Sequence, residues 1–494
     1  MPRFPMISKA SFTNAFPPGS LGRFGVVLIV LCVHLIFSPV WLSGIAPRFY
    51  DDARYVELAL LLLVLAQLPF HAALADAVTF RFLDLPRPVR WLLALALAAG
   101  ACSTLASPAW KLGGLEIGLA AELFVLFLVV AAIARARGTE VDVALTMAIF
   151  CGAALCSVKF WLIYGLYAFE GKYFSWISPF LDFANVRFFS QYQAYCLFLV
   201  GLPWATQRAG RLTKALLLLV AANFWALHWM VGTRAVWLGL VVSVAVVAAF
   251  KAGHRWRWLR AHAVAAALGG VIYLVFSGVV QHTAEVKSVF GIESIVRRDN
   301  RSIDERLALA RQAVQAVREH PLFGVGPGQF GLQPYPMNAA HPHNVPLQLL
   351  SEYGLPGGIA AIAVLAALAL FAVRTLRLPE QTGSEVLAPS LVAALLTGMV
   401  DAMLSGNLIM PHSQVLFCVV AGWIVGRLSI TKAQPYAEAG LFRSVRLSLV
   451  AGGALAAAVT TVLAMEYLPL ARNLPIWMFK WNPHFWNYGR FMGW

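Results

Sequence analysis

The chain has 494 residues, 60% of them hydrophobic and only 12% charged, with a formal net charge of +15. Soluble domains carry roughly a quarter charged residues, so this composition excludes a soluble globular protein and specifies a polytopic membrane protein. The excess cations follow membrane topology, which leaves no case for a nucleic-acid partner.

The first apolar stretch, near 24–46, is too long for the core of a signal peptide and reads as a retained span. Further windows of about 20 mostly apolar residues fall near 57–79, 90–110, 112–134, 142–168, 190–206, 214–231, 235–250, 262–280, 355–373, 386–404, 411–426 and 447–467. The expected fold is therefore all-α, a bundle of 12 or 13 transmembrane helices. It divides into an N-terminal bundle (1–280, about nine helices), a long loop (281–354), C-terminal spans (355–467) and a short aromatic-rich tail (468–494).

Alternate connections differ sharply in charge. One set holds twenty-one Lys and Arg residues, and the other, without the long loop and the tail, holds six. This positive-inside asymmetry puts the N-terminus in the cytoplasm and the 281–354 loop on the outer face, periplasmic in a cell with two membranes. Trp41, Trp110, Trp176, Trp237, Trp256, Trp258 and Trp423 fall near span ends and read as interfacial anchors. The six cysteines all lie in apolar segments and have neither disulfide nor metal spacing. Glu122 and Lys159 share a depth in adjacent spans and are expected to neutralise each other.

The long loop concentrates the chemistry. It carries Arg297, Arg298, Arg301, Arg306, Arg311 and Arg318. Ser302-Ile303-Asp304-Glu305 reads as a capping box opening a helix that runs to about Glu319 before His320-Pro321. Leu307, Ala310, Val314 and Val317 form its apolar stripe, which is expected to lie on protein or on the membrane surface. Each arginine alone fits a solvated face or a lipid headgroup; the cluster points to an anionic ligand. Gly324-Val325-Gly326-Pro327-Gly328 lacks the Lys-Ser/Thr ending of a phosphate loop and reads as a chain reversal with positive φ. His341-Pro342-His343-Asn344 then precedes a helix that closes at Gly354. Two histidines one residue apart have no third metal ligand nearby, so the imidazole reads as a general base or a polar cap. Asp401, before Ser405-Gly406-Asn407, is placed to meet an arginine or to cap a helix end.

Pro321-Leu322-Phe323-Gly324-Val325-Gly326, His343-Asn344, Leu347, Leu350, Glu352 and Gly354-Leu355-Pro356-Gly357 together resemble the O-antigen ligase/polymerase superfamily. That superfamily takes in lipopolysaccharide O-antigen ligases, O-antigen polymerases and bacterial protein O-oligosaccharyltransferases. Gly232-Thr233-Arg234-Ala235-Val236-Trp237 and Arg187-Phe188-Phe189-Ser190-Gln191-Tyr192-Gln193 support the resemblance, which covers roughly 185–430. It implies an inner-membrane enzyme that moves a glycan from undecaprenyl diphosphate to an acceptor hydroxyl, with no nucleotide, cofactor or metal. The acceptor is lipid A-core in a ligase, another lipid-linked glycan in a polymerase, or a protein. His343 then becomes the general base, and Arg234 and Arg306, backed by Arg187 and Arg311, clamp the diphosphate. Asn344, His341 and Glu352 take supporting roles. The rival outside catalysis is a lipid-linked sugar flippase, which the crowding of polar residues at one face disfavours.

Overall fold

The structure is a computed structural model, and it describes residues 21–46, 49–172, 174, 178–206, 210–250, 255–280, 301–334, 339–377, 386–428 and 439–473. Among these the regular structure is helical, with no strand. Among the described residues eight helices are long and apolar enough to cross a membrane, including Trp110–Arg137, Thr139–Phe169 and Val345–Thr375, and three shorter apolar helices accompany them. The result is an all-α membrane bundle.

The central packing pairs are Trp110–Arg137 with Pro411–Leu428, and Arg234–Phe250 with Leu387–Ala402. Both rest on small residues. A Cβ on Gly422 or Gly426 would meet the backbone of Phe127 or Ala131 within 2.5 Å, and one on Gly239 would meet Thr397 O at 2.7 Å. Close approach of backbones through glycine is the usual means of packing helices in lipid, where burial of apolar surface drives no association.

Three expectations need correction. The Glu122–Lys159 pair does not form: Glu122 accepts a hydrogen bond from Thr460 Oγ1 at 2.5 Å, and Lys159 pairs with Asp182. Hydropathy gives depth along a helix but not the direction a side chain takes around it. Nor are all the tryptophans belt residues. Trp41, Trp110 and Trp256 are exposed, but Trp258 and Trp423 are wholly buried, donating to Ser390 Oγ and Asp142 Oδ1 at 2.9 and 2.7 Å; Trp176 lies outside the described residues. The window at 57–79 straddles breaks at Ala66 and His71: helices run Phe49–Leu65, Gln67–Phe70 and Ala72–Asp84.

The segment 281–300, with Arg297 and Arg298, lies outside the described residues, as do the side chains of Arg301 and Ser302 and hence the capping box. The loop helix spans Arg301–Glu319, as its sequence predicts. Its buried stripe is Leu309, Gln312, Ala313 and Ala316, packed toward Phe330 and Leu347, while Leu307 and Val314 stay exposed. The expected stripe is thus displaced around the helix. Leu309 and Ala313 cluster with Phe330 against Leu347 of the Val345–Thr375 helix.

Candidate functional site

Four segments meet at the end of the bundle that carries the long loop. The first is the histidine turn. Pro342 has a fixed φ and no N–H, and His343 takes a left-handed backbone at φ 54°, which is uncommon outside glycine. The His343 N–H donates to His341 Nδ1 at 3.1 Å, and the two rings meet edge to face with centroids 4.2 Å apart. Asn344 follows as the N-cap of the Val345–Thr375 helix: its Oδ1 accepts from Leu347 N at 2.9 Å, and its Nδ2 donates to Met403 O at 2.9 Å.

The second segment holds Arg187. Asn185 caps the Val186–Val200 helix by accepting from Arg187 N at 2.9 Å, which sets the exposed Arg187 in the first turn. The third is the turn at Gly232, where a Cβ would strike His228 O at 2.5 Å, so only glycine fits. Thr233 N donates to Ser190 Oγ at 3.0 Å. That bond seats Arg234, the exposed first residue of its helix, beside the turn that bears Arg187. Helix N-termini already favour anions, and here two of them carry guanidinium groups.

The fourth segment is the Arg301–Glu319 helix. Burial, then the charges of Arg306 and Arg187, push the His343 imidazole down to about 4. His343 is therefore neutral near pH 7, the form a proton acceptor needs, and its two cationic neighbours suit an anion beside it. The field of Arg306 also reaches the buried carboxylate of Asp401, which accepts from Ser405 Oγ at 2.8 Å. Arg306, Arg311 and Arg318 are all exposed; five residues along a helix turn the side chain by about 140°, so Arg311 leaves the helix on the side of Arg318 and not on that of Arg306.

Glu352 is buried beneath this group. Its Oε2 accepts from Gly328 N at 3.1 Å and Gln348 Nε2 at 3.4 Å, and its backbone carbonyl accepts from Ser103 Oγ and Gly326 N. It holds the glycine loop, in which Gly324, Gly326 and Gly328 all have positive φ as expected of a tight reversal. Gly354, also with positive φ, kinks the long helix where the sequence places its break, with Leu322 O 2.3 Å from where a Cβ would stand.

Below Val345, Gln348 and Glu352 lies a cavity of about 290 Å³, which runs into an apolar one of about 700 Å³ through shared walls at Leu93, Ala120, Phe124, Leu365 and Leu408. The larger cavity extends along the bundle to Arg81, Asp84 and Arg374. Among the described residues, no three His, Cys, Asp or Glu side chains are grouped to hold a metal ion.

Sequence reading missed Gln348, Gln329 and Glu116. Gln348 and Glu116 are polar residues inside apolar runs, the signal that could have found them; Gln329, in the glycine loop, carries no such signal. Gln329 Nε2 donates to Ser107 Oγ at 2.6 Å, and Glu116 lies against Gly328 and lines the smaller cavity.

Residues 215–362 match the model of the O-antigen ligase family. The matched segment contains Arg234, Arg306, His341, His343, Asn344 and Glu352 and ends ahead of Asp401. No curated protein matches the chain.

Proposed function

On the premise that the chain is a member of the O-antigen ligase-like superfamily, with a function of the ligase/polymerase kind, we propose that it transfers a glycan from undecaprenyl diphosphate to an acceptor hydroxyl. The arrangement that carries this reading is the left-handed His343 turn, held by His341 and Asn344, with the charges of Arg306 and Arg187 acting on its imidazole. In the proposed step the acceptor oxygen attacks the anomeric carbon and its proton passes to His343. The bond from that carbon to the phosphate oxygen breaks, and the electron pair leaves with the diphosphate. A single displacement inverts the anomeric centre. The leaving group carries its charge away as a phosphate oxyanion, so it needs fixed cations more than a proton donor. Arg306 and Arg187 supply them, with Arg234 beside Arg187, and no metal is required.

The apolar cavity system supports a lipid-linked substrate, because it begins under the histidine turn and runs along the helices. It is the place for the polyprenyl chain. Lipid A-core is the acceptor of this proposal; the Arg187 segment resembles one of ligases and of protein-glycosylating members, which makes a protein hydroxyl, with another lipid-linked glycan, the alternative. The excess of cations on alternate connections supports an inner-membrane protein with its N-terminus in the cytoplasm and the histidine turn facing the periplasm.

Purified protein in detergent, given lipid-linked donor and lipid A-core, tests the reaction directly. Wild type should yield glycosylated acceptor and free undecaprenyl diphosphate, and His343→Ala should yield neither while still inserting in the membrane. Wild-type turnover by His343→Ala would remove the assigned base. In a deletion strain, a ligase predicts polymer accumulating on the lipid carrier, whereas a polymerase predicts acceptor capped with single repeats.

A further inference from the structure

Resting on the role of His343 above, we propose that His341 is a positioning residue that fixes the reactive imidazole, and that Gly406 is the space in which it does so. A non-glycine residue in the left-handed region is strained, and such strain persists only where the surroundings determine it. Two side chains grip His343 from either side. After it, Asn344 is pinned by the helix cap and by Met403 O. Before it, His341 Nδ1 accepts from the His343 N–H across Pro342, the pattern an Asx turn makes with a shorter side chain. That bond requires an unprotonated Nδ1, which assigns the ring proton to Nε2.

The His341 ring does more than accept a hydrogen bond. It is 6% exposed, and it meets the His343 ring edge to face with centroids 4.2 Å apart. Its far side rests on Gly406, where a Cβ would come within 2.4 Å of Cε1 and Nε2. Those ring atoms belong to a side chain wedged between Gly406 and His343, so they have nowhere to retreat. Gly406 takes φ −90°, a backbone open to any residue. Its glycine therefore serves the ring's volume and not the backbone. The 401–407 segment thus holds the histidine turn at two points, Met403 on Asn344 and Gly406 on His341.

The test uses the full-length protein in detergent with lipid-linked donor and acceptor. His341→Leu fills the volume without an acceptor, His341→Asn restores an acceptor where Nδ1 stood, and Gly406→Ala pushes on the ring. His341→Leu and Gly406→Ala should each lower kcat by about 10- to 100-fold, the scale of a misplaced reacting group. The donor KM should hold, because Arg306 and Arg187 are untouched. His341→Asn should recover most of the rate, and the Leu and Ala changes together should cost no more than either alone. Wild-type kcat in His341→Leu, beside an inactive His343→Ala, overturns this proposal alone; an active His343→Ala overturns the reading beneath it. If His341→Leu does not fold, His341→Asn and Gly406→Ala decide: a folded His341→Asn as slow as Gly406→Ala also refutes it.

Discussion

The Asn344 amide donates to the Met403 carbonyl at 2.9 Å, joining the start of the Val345–Thr375 helix to the segment that leaves Leu387–Ala402. One side chain thus performs two tasks, since its Oδ1 also caps its own helix. The two are separable. Asn344→Asp keeps the cap acceptor but cannot donate to Met403, whereas Asn344→Ala loses both. Loss of an N-cap costs about 1 kcal/mol, so the alanine variant should melt at a lower temperature in detergent and the aspartate variant should not. Both should transfer glycan more slowly. An aspartate variant with wild-type turnover would show that the Met403 link does not position His343.

The pH dependence follows from the charges around His343. Its imidazole is pushed down to about 4, by burial first and then by Arg306 and Arg187. Since the neutral form is the base, kcat/KM should stay level from neutral pH downward and fall only as the pH nears 4. A nearby cation disfavours the protonated ring, so removing one must raise the pKa. The residual activity of Arg187→Gln should therefore show its acid limb at higher pH than wild type. An acid limb that moves down, or does not move, would separate Arg187 from His343.

The two arginines five residues apart on the loop helix should behave differently. The charge of Arg306 acts on His343 and Asp401, while Arg311 leaves the helix about 140° further round. A charge-assisted bidentate contact contributes roughly 2 kcal/mol, so Arg306→Gln should lower kcat/KM by roughly 30-fold. Arg306→Lys should restore only part of it, because an ammonium lacks the planar fork. Arg311→Gln should stay near wild type. Equal losses at both positions would require the diphosphate to contact both faces of the helix.

Much of this arrangement was legible in the sequence, and the failures have a common cause. The helices, the break at Gly354 and the positive-φ glycines are local features, fixed by hydropathy, steric freedom and spacing of a few residues. What could not be read was the rotation of a helix about its axis. The loop helix turns Leu309, Ala313 and Ala316 inward in place of Leu307 and Val314, and nothing in the spacing of apolar residues told the two faces apart. Partners distant in the chain were also hidden: Met403 for Asn344, Gly406 for His341 and Gly328 for Glu352. A backbone carbonyl, an absent Cβ and a backbone N–H leave no signature in residue type.

Glu352 is placed to act through the glycine loop, and its neighbours decide which substitution it tolerates. Gly328 N and Gln348 Nε2 both donate to Oε2, so an amide oxygen can replace it. Glu352→Gln should keep the loop and most of the transfer rate. Glu352→Ala leaves the buried Gly328 N–H without its acceptor, at a cost of about 1–3 kcal/mol, and should lower both melting temperature and turnover. If the glutamine variant is as inactive as His343→Ala, the charge of Glu352 takes part in the chemistry.

The pairing of Lys159 with Asp182 predicts a stability effect of a different kind. Asp182 sits in the short Ser178–Phe183 turn with its side chain 2% exposed, and the Lys159 side chain is 23% exposed. Lys159→Met therefore strands a carboxylate that has little water to turn to. Removing one partner of a buried pair typically costs about 3–5 kcal/mol; the partial exposure of Lys159 places the expected loss below that range. Asp182→Asn in the same chain removes the stranded charge, so the double variant should melt closer to wild type than Lys159→Met alone. Glu122 bonds to Thr460 on a separate helix and should not alter the outcome. Rescue of Lys159→Met by Glu122→Gln, and not by Asp182→Asn, would instead pair the lysine with Glu122, as its depth in the sequence first suggests.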